Sequence, residues 1–148
     1  MDKRRVVVTG MGTVSPYGVG IDKLWNSLKE GKSGISHTDE LLDIEKHTIK
    51  IGGVVKNFKA EDYIDEKDIK RMDRFIQFAI VASDEAIKDA KLEDLKNIDP
   101  YRIGVIVSSA AGGFPAFEEN HKRGNKNKTS SSYKRRTALF QSGYAAWI

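Results

Sequence analysis

The amino-acid sequence predicts an α/β protein, and three features support that prediction. Two β-branched runs, residues 5–9 and 102–108, have the apolar character of strands that are buried on both faces. Between them, over residues 71–90, apolar side chains recur at helical spacing. Strands that alternate with helices indicate a sheet with helices packed on it. The 148-residue length fits one domain.

The first predicted strand, residues 5–9, ends at Gly10 and Gly12. A dinucleotide-binding loop would begin in the same way, but it needs a third glycine, a helix directly after it and an acid at the end of the next strand. Here the third small residue is Ser15, and Pro16 interrupts the expected helix. The pattern therefore favours glycines that let the chain turn sharply against its neighbours, where a side chain would clash.

A turn at Pro16 and Gly18 precedes a predicted short helix over residues 22–30, with Asp22 as its N-cap and Gly31 just past its end. The apolar face of that helix comprises Leu24, Trp25 and Leu28. Residues 32–50 show no period and are predicted to be loop. A second, short strand is predicted at residues 52–55.

The helix predicted over residues 71–90 has a broad apolar face with small residues near its middle. Those small residues are Ala79, Ala82, Ser83 and Ala86. They fit a close approach to another element, and ordinary core packing explains them equally well. Asp99 and Pro100 close the segment that follows.

The second predicted strand, residues 102–108, ends in a run of small residues and then a predicted helix near residues 114–122. Ligands of open α/β sheets bind at the carboxyl ends of strands, so a binding site is one interpretation of the small residues 110–113. A tight packing turn is the other. The sequence does not decide between them.

Composition excludes several kinds of site. The sequence holds no cysteine, which excludes disulfides, cysteine-bound zinc and a thiolate nucleophile within it. The histidines, His37, His47 and His121, are too scattered for a metal site, and no cofactor is expected. No run is long enough for a membrane span or a signal core, so a cytoplasmic protein is expected.

The C-terminal tail differs from the rest in charge. Residues 1–121 hold 21 acidic and 18 basic side chains, whereas residues 122–148 hold 7 basic and no acidic ones. We place a domain boundary near Gly124 and expect residues 124–148 to be disordered. Two hypotheses give this tail a function. One makes Ser142 a nucleophile, and the other makes the tail a binding module for an acidic partner or nucleic acid, with bases at Lys126, Lys128, Lys134, Arg135 and Arg136.

Four stretches in order, RRVVVTGMGTVSPYG, LWNSLKEGKSGIS, RMDRFIQFAIVASDEAI and RIGVIVSSAAGGFPAFEENH, resemble the amino-terminal part of the β-ketoacyl-acyl-carrier-protein synthases, closest to the type II elongating enzymes. The resemblance covers residues 3 to about 123. It implies the first part of the amino-terminal half of a thiolase-like fold, with an incomplete sheet. It also implies a homodimer, acyl-carrier protein as partner, and an acyltransferase reaction in fatty-acid elongation.

The same resemblance implies which site residues are present. The family's cysteine, two histidines and supporting lysine have no counterpart here, so no catalytic residue is assigned. Ala111, Gly112, Gly113 and Phe114 match a loop that lines the acyl pocket, although the family often has a bulkier residue at the position of Ala111. We therefore expect residues 1–123 to be a partial synthase domain without activity of its own. A shifted reading frame or a truncated gene is the expected origin of the basic tail, residues 124–148.

Overall fold

The computed structural model of the chain describes residues 4–38, 48–94, 98–109 and 112–127. Short 3₁₀ turns lie at Ala60–Asp62 and Pro100–Arg102. The helices and strands, in chain order, are β1 (Val14–Ser15), β2 (Gly18–Val19), α1 (Ile21–Lys29), β3 (Ser36–His37), β4 (Ile51–Gly52), α2 (Glu66–Ile69), α3 (Arg74–Asp89) and α4 (Phe114–Asn127).

The chain divides into two compact units, which are described separately. The first comprises Met1–Tyr63 with Val81–Asp94, and the second comprises Ile64–Ile80 with Leu95–Ile148. The first unit holds two small antiparallel sheets. In one, β1 and β2 pair Val14 with Val19 across a tight turn. In the other, β3 pairs with β4.

The two buried strands expected at residues 5–9 and 102–108 are not formed, and that prediction is wrong. Neither segment pairs with another strand within the described part of the chain. Their apolar side chains face solvent, with Val6 86% exposed and Ile106 95% exposed. A β-branched run becomes a strand only when a neighbour takes up its backbone hydrogen bonds, because a strand has no internal ones.

The short helix after the first turn is confirmed as α1, one residue from its predicted start. Its end is also as predicted, since Gly31 has a φ of +66° and starts a Schellman motif. In that motif the Gly31 N–H donates to the Leu28 carbonyl at 3.1 Å, and the Lys32 N–H donates to the Ser27 carbonyl at 2.9 Å. The predicted N-cap is wrong, because the cap position is Gly20 and Asp22 lies inside the first turn.

The remaining predictions agree with the structure to different degrees. The helix predicted over residues 71–90 is confirmed as α3, which begins later because α2 and a turn precede it. The strand predicted at 52–55 is displaced to β4. The helix predicted near 114–122 is confirmed as α4, which continues to Asn127. The predicted boundary at Gly124 thus falls within α4, and residues 128–148 lie outside the described residues.

Few apolar side chains are buried. Among the described residues, the buried hydrophobic ones are Ala60 and Val81, at 7% and 4% exposure. The apolar face of α1 is largely open, with Trp25 and Leu28 both more than half exposed. Across the described ranges, none of the helices is both long enough and apolar enough to cross a membrane.

Candidate functional site

The glycine turn of the first unit lies directly against the C-terminal half of α3. A Cβ placed on Gly12 would lie 2.7 Å from the Ala86 nitrogen, and closer still to the Ala82 carbonyl oxygen. A Cβ on Gly10 would lie 2.6 Å from the Ala90 nitrogen. Real Cβ atoms do not approach backbone this closely, so both positions require glycine. The sequence left two interpretations of the small residues of this helix, and the structure shows the close approach to another segment at Ala82 and Ala86.

Two carboxylates of α3 hold the same turn through its backbone. Glu85 accepts hydrogen bonds from the N–H of Thr13 at 2.9 Å and from the N–H of Ile21, the first residue of α1, at 2.7 Å. Asp89 accepts one from the N–H of Met11 at 2.9 Å. Carboxylates that accept backbone amides make stronger bonds than neutral acceptors do, so these three contacts fix the turn and the start of α1 on α3.

This arrangement bears on the alternative of a phosphate-binding loop. Such a loop presents free backbone N–H groups and a helix N-terminus to the anion. Here the Ile21 amide at the start of α1 and the Thr13 amide of the turn already donate to one carboxylate, Glu85. The contacts of Gly10 and Gly12 support the packing interpretation that the sequence favoured.

The residues that the resemblance assigns to the acyl pocket lie at the start of α4, in the second unit. Gly112 abuts the side chain of Phe75, and a Cβ placed on it would lie 2.6–2.7 Å from three atoms of that ring. Gly113 has a φ of +81°, and its carbonyl accepts the Phe117 N–H at 3.0 Å. Phe114 begins the helix and is 61% exposed. Ala111 lies outside the described residues.

The remaining candidate residues are the histidines and the polar residues of the C-terminal tail. Among the described residues, no group of three or more His, Cys, Asp or Glu side chains could hold a metal ion. His37 is exposed on β3, and His121 is exposed on α4. His47 and Ser142 lie outside the described residues. Lys126 is in the last turn of α4, and the remaining tail bases also lie outside the described part.

Sequence reasoning missed three residues that make these contacts, namely Phe75, Glu85 and Asp89. Phe75 lies within the apolar helix predicted over residues 71–90, and the helical spacing alone does not distinguish it from its apolar neighbours. Glu85 and Asp89 lie four residues apart beside the small residues Ala82 and Ala86, so they share one side of α3 with the stripe that receives the glycine turn. The sequence signal for these contacts is a pair of acidic residues beside a stripe of small residues on the same helix.

Comparison with known proteins gives consistent results. The sequence model of the family described as "Beta-ketoacyl synthase, N-terminal domain" matches residues 3–148, which extends past the boundary predicted at Gly124. The 3-oxoacyl-[acyl-carrier-protein] synthase 2 of Staphylococcus aureus is 44% identical over 120 residues, which cover 81% of this chain and 28% of that protein. The enzyme of the same name from Synechocystis is 40% identical over 119 residues, with 80% and 28% covered.

The structure gives the same assignment at the level of the fold. The crystal structure of a β-ketoacyl synthase from Burkholderia phymatum superposes with a TM-score of 0.70 at 21% identity, covering 93% of this chain and 33% of that one. The chain spans about 28% of the length of the curated relatives it matches. On the family match over residues 3–148, this chain belongs to the β-ketoacyl synthase family, through that family's N-terminal domain.

Proposed function

We propose that this chain provides the N-terminal scaffold of a 3-oxoacyl-acyl-carrier-protein synthase and does not catalyse condensation unaided. The scaffold contains the loop at Ala111–Phe114, to which the proposal assigns one wall of the acyl pocket. The observation that supports the scaffold role is the 44% identity over 120 residues to the Staphylococcus aureus synthase 2, confined to 28% of that enzyme.

The absence of catalysis follows from the chemistry of the proposed reaction. An acyl group passes from carrier protein to a cysteine thiolate, and the carrier thiol leaves. Loss of carbon dioxide from malonyl-carrier protein then generates the carbanion that attacks the thioester carbonyl, and the carbon–sulfur bond breaks to release the cysteine thiolate. These 148 residues hold no cysteine. The nucleophile of such a reaction therefore has to come from residues beyond them, in the same polypeptide or in another.

Two partners belong to the same proposal. Acyl-carrier protein would deliver both substrates; the curated relatives carry the name 3-oxoacyl-[acyl-carrier-protein] synthase 2. A second copy of the synthase would form the homodimer that the resemblance implies. The cytoplasmic location and the end of the synthase domain near Gly124 remain predictions.

A pair of assays tests the scaffold role. The purified 148-residue chain is mixed with acyl-carrier and malonyl-carrier protein, and the elongated product is measured by mass spectrometry; no product above the blank is expected. In a chimera, residues 4–123 replace the matching segment of the Staphylococcus aureus synthase, and this chimera is expected to elongate acyl chains. Elongation by the chain alone, or a folded chimera without activity, would overturn the proposal.

A second candidate function rests on the charge distribution. Residues 122–148 carry 7 basic side chains and no acidic one, in a chain whose first 121 residues are net acidic. Such a segment binds polyanions through released counterions, so its affinity falls as salt rises. On this alternative the chain is a non-catalytic binding module for an acidic partner or a nucleic acid.

The binding-module alternative is tested by comparing the chain with a variant in which Lys134, Arg135 and Arg136 are replaced by glutamine. Affinities for a DNA duplex and for acyl-carrier protein are measured at low and at high salt. The alternative predicts salt-sensitive binding that the substitutions weaken. Binding that is unchanged by salt and by the substitutions would dismiss it.

A further inference from the structure

The ring of Phe75 lies against the loop to which the proposed function assigns the acyl pocket. Three of its ring atoms, Cγ, Cδ2 and Cε2, are the nearest neighbours of the position that a Cβ on Gly112 would occupy. Both residues belong to the second compact unit. Because the ring fills the space beside Gly112, the loop cannot move toward α3 without displacing it.

The C-terminal end of the loop is also restrained, by the start of α4. Gly113 has a left-handed φ of +81°, and its carbonyl oxygen accepts the Phe117 N–H in the first turn of α4. Pro115, in the same turn, has a fixed φ. The backbone between Gly112 and Phe114 thus lies between the ring of Phe75 and the first turn of α4, and both restrict its movement.

The ring of Phe75 is attached to the hydrogen-bonded first turn of α3. Phe75 is the second residue of α3, and the Asp73 carbonyl immediately before that helix accepts the N–H groups of Ile76 and Gln77, at 3.0 and 3.2 Å. The side chain is half-buried. Its size therefore determines how closely the loop backbone approaches α3.

We propose that Phe75 is a positioning residue that sets the place of the loop Gly112–Phe114 and, through it, the length of acyl chain the pocket takes. The second clause rests on the proposed function, because that proposal gives the loop its role. With a smaller residue at position 75, the loop can settle toward α3. This movement opens room on its substrate side and favours longer acyl chains.

The experiment has two arms, so that failure of this inference differs from failure of the proposed function. In the 148-residue chain, Phe75→Leu is compared with Phe78→Leu, the same change one turn along α3. Hydrogen exchange at the Phe117 amide, which donates to the Gly113 carbonyl of the loop, is expected to accelerate in Phe75→Leu alone. Equal exchange in both variants, with both folded, would overturn the positioning role.

In the chimera with the Staphylococcus aureus synthase, the ratio of kcat/KM for tetradecanoyl-carrier over octanoyl-carrier protein is measured. Phe75→Leu is expected to raise that ratio by about tenfold, the discrimination that one methylene typically gives in an apolar pocket, and Phe78→Leu is expected to leave it unchanged. An active Phe75→Leu chimera with an unchanged ratio would refute the effect on chain length. An inactive parent chimera would instead count against the proposed function, and the exchange arm would still decide the positioning role.

Discussion

Individual side chains of α3 determine how the N-terminal turn is held, and their effects can be separated. Glu85 and Asp89 supply the hydrogen-bond acceptors, whereas Ala82 and Ala86 supply the space. A charged acceptor and a glycine at the point of contact are independent requirements. The charged acceptor and the glycine can therefore be substituted one at a time, and each substitution leaves the other feature unchanged.

Gly12→Ala is expected to destabilise the chain by about 1–3 kcal/mol, the usual cost of forcing a methyl group into a packed site. The new Cβ would meet α3 backbone, which cannot rotate away as a side chain can. The free energy of unfolding is measured by urea denaturation. Gly104→Ala is the matched control, because a Cβ there has no neighbour within 4 Å. Equal stability of the two variants would contradict the packing role of Gly12.

Glu85→Gln keeps the shape of the side chain but removes its charge. The amide retains one oxygen acceptor for the two N–H groups of Thr13 and Ile21, so we expect a loss of about 1–2 kcal/mol. Asp84→Asn makes the same change one residue away, where the carboxylate pairs with the exposed Lys88, and is expected to cost much less because water screens an exposed ion pair. If urea denaturation gives the two variants the same stability, the hydrogen bonds that Glu85 accepts from Thr13 and Ile21 do not contribute significantly to stability.

The helices illustrate how local sequence sets the ends and the surface of an element. The Schellman motif at the end of α1 uses a glycine with positive φ, and the exposed face of α3 carries an i,i+4 ion pair between Asp84 and Lys88. Both features lie within one element, so each is expected to act on that element without a tertiary partner.

Gly31→Ala is expected to destabilise the end of α1 by about 1–2 kcal/mol, the cost of the left-handed conformation for a residue with a Cβ. No atom lies within 4 Å of that Cβ, so the effect is conformational alone. Hydrogen exchange at the Gly31 and Lys32 amides reports on the motif. Gly31→Asn, which tolerates a left-handed φ better, should lose less; an alanine variant as stable as the parent would argue against this account.

Lys88 is expected to titrate above its ordinary pKa of 10.5. The hydrogen bond to Asp84 is the main cause, and the negative charge of Asp84 adds to it. A raised pKa in the folded state means that the contribution of the pair to stability is complete below 10.5 and is lost as the pH rises through the folded-state pKa. NMR titration of the Lys88 side chain measures that pKa. Asp84→Asn should return it toward 10.5, and an unchanged value in that variant would contradict this cause.

Among the residues that the structure describes, many more large apolar side chains are exposed than are buried. The consecutive residues Val6, Val7 and Val8 are 86%, 61% and 80% exposed, while the buried hydrophobic side chains among the described residues are Ala60 and Val81. Exposed β-branched segments with unpaired backbone associate with other strands. We therefore expect the isolated chain to aggregate, or to be covered by another polypeptide.

Val7→Lys tests this expectation, because a charge within an exposed β-branched run opposes strand association. The fraction of protein that stays in the supernatant after centrifugation is expected to rise. Asn57→Lys adds the same charge at an exposed position outside the run and serves as the control. An equal rise in both variants would attribute the effect to net charge instead of to the valine run.

The helices α1, α3 and α4 could be read from the sequence because their hydrogen bonds and caps connect residues a few positions apart. Gly31, after α1, was assigned correctly for that reason. The four matching stretches likewise indicated the family, which the comparisons then established. The loop residues Gly112–Phe114 were placed by resemblance alone, and the pocket assigned to them remains a proposal.

The contacts of the glycine turn depend on groups that are distant along the chain. Whether the valine run pairs as a strand depends on such groups too. The carboxylates of Glu85 and Asp89 bind amides 64 to 78 positions away, and no local period reports such a pair. Residues 5–9 and 102–108 have strand composition, yet pairing requires a neighbour at the right distance. Local spacing therefore determined the helices, and the four matching stretches determined the family, whereas long-range approach of the chain decided which amides were bound and which apolar runs stayed in solvent.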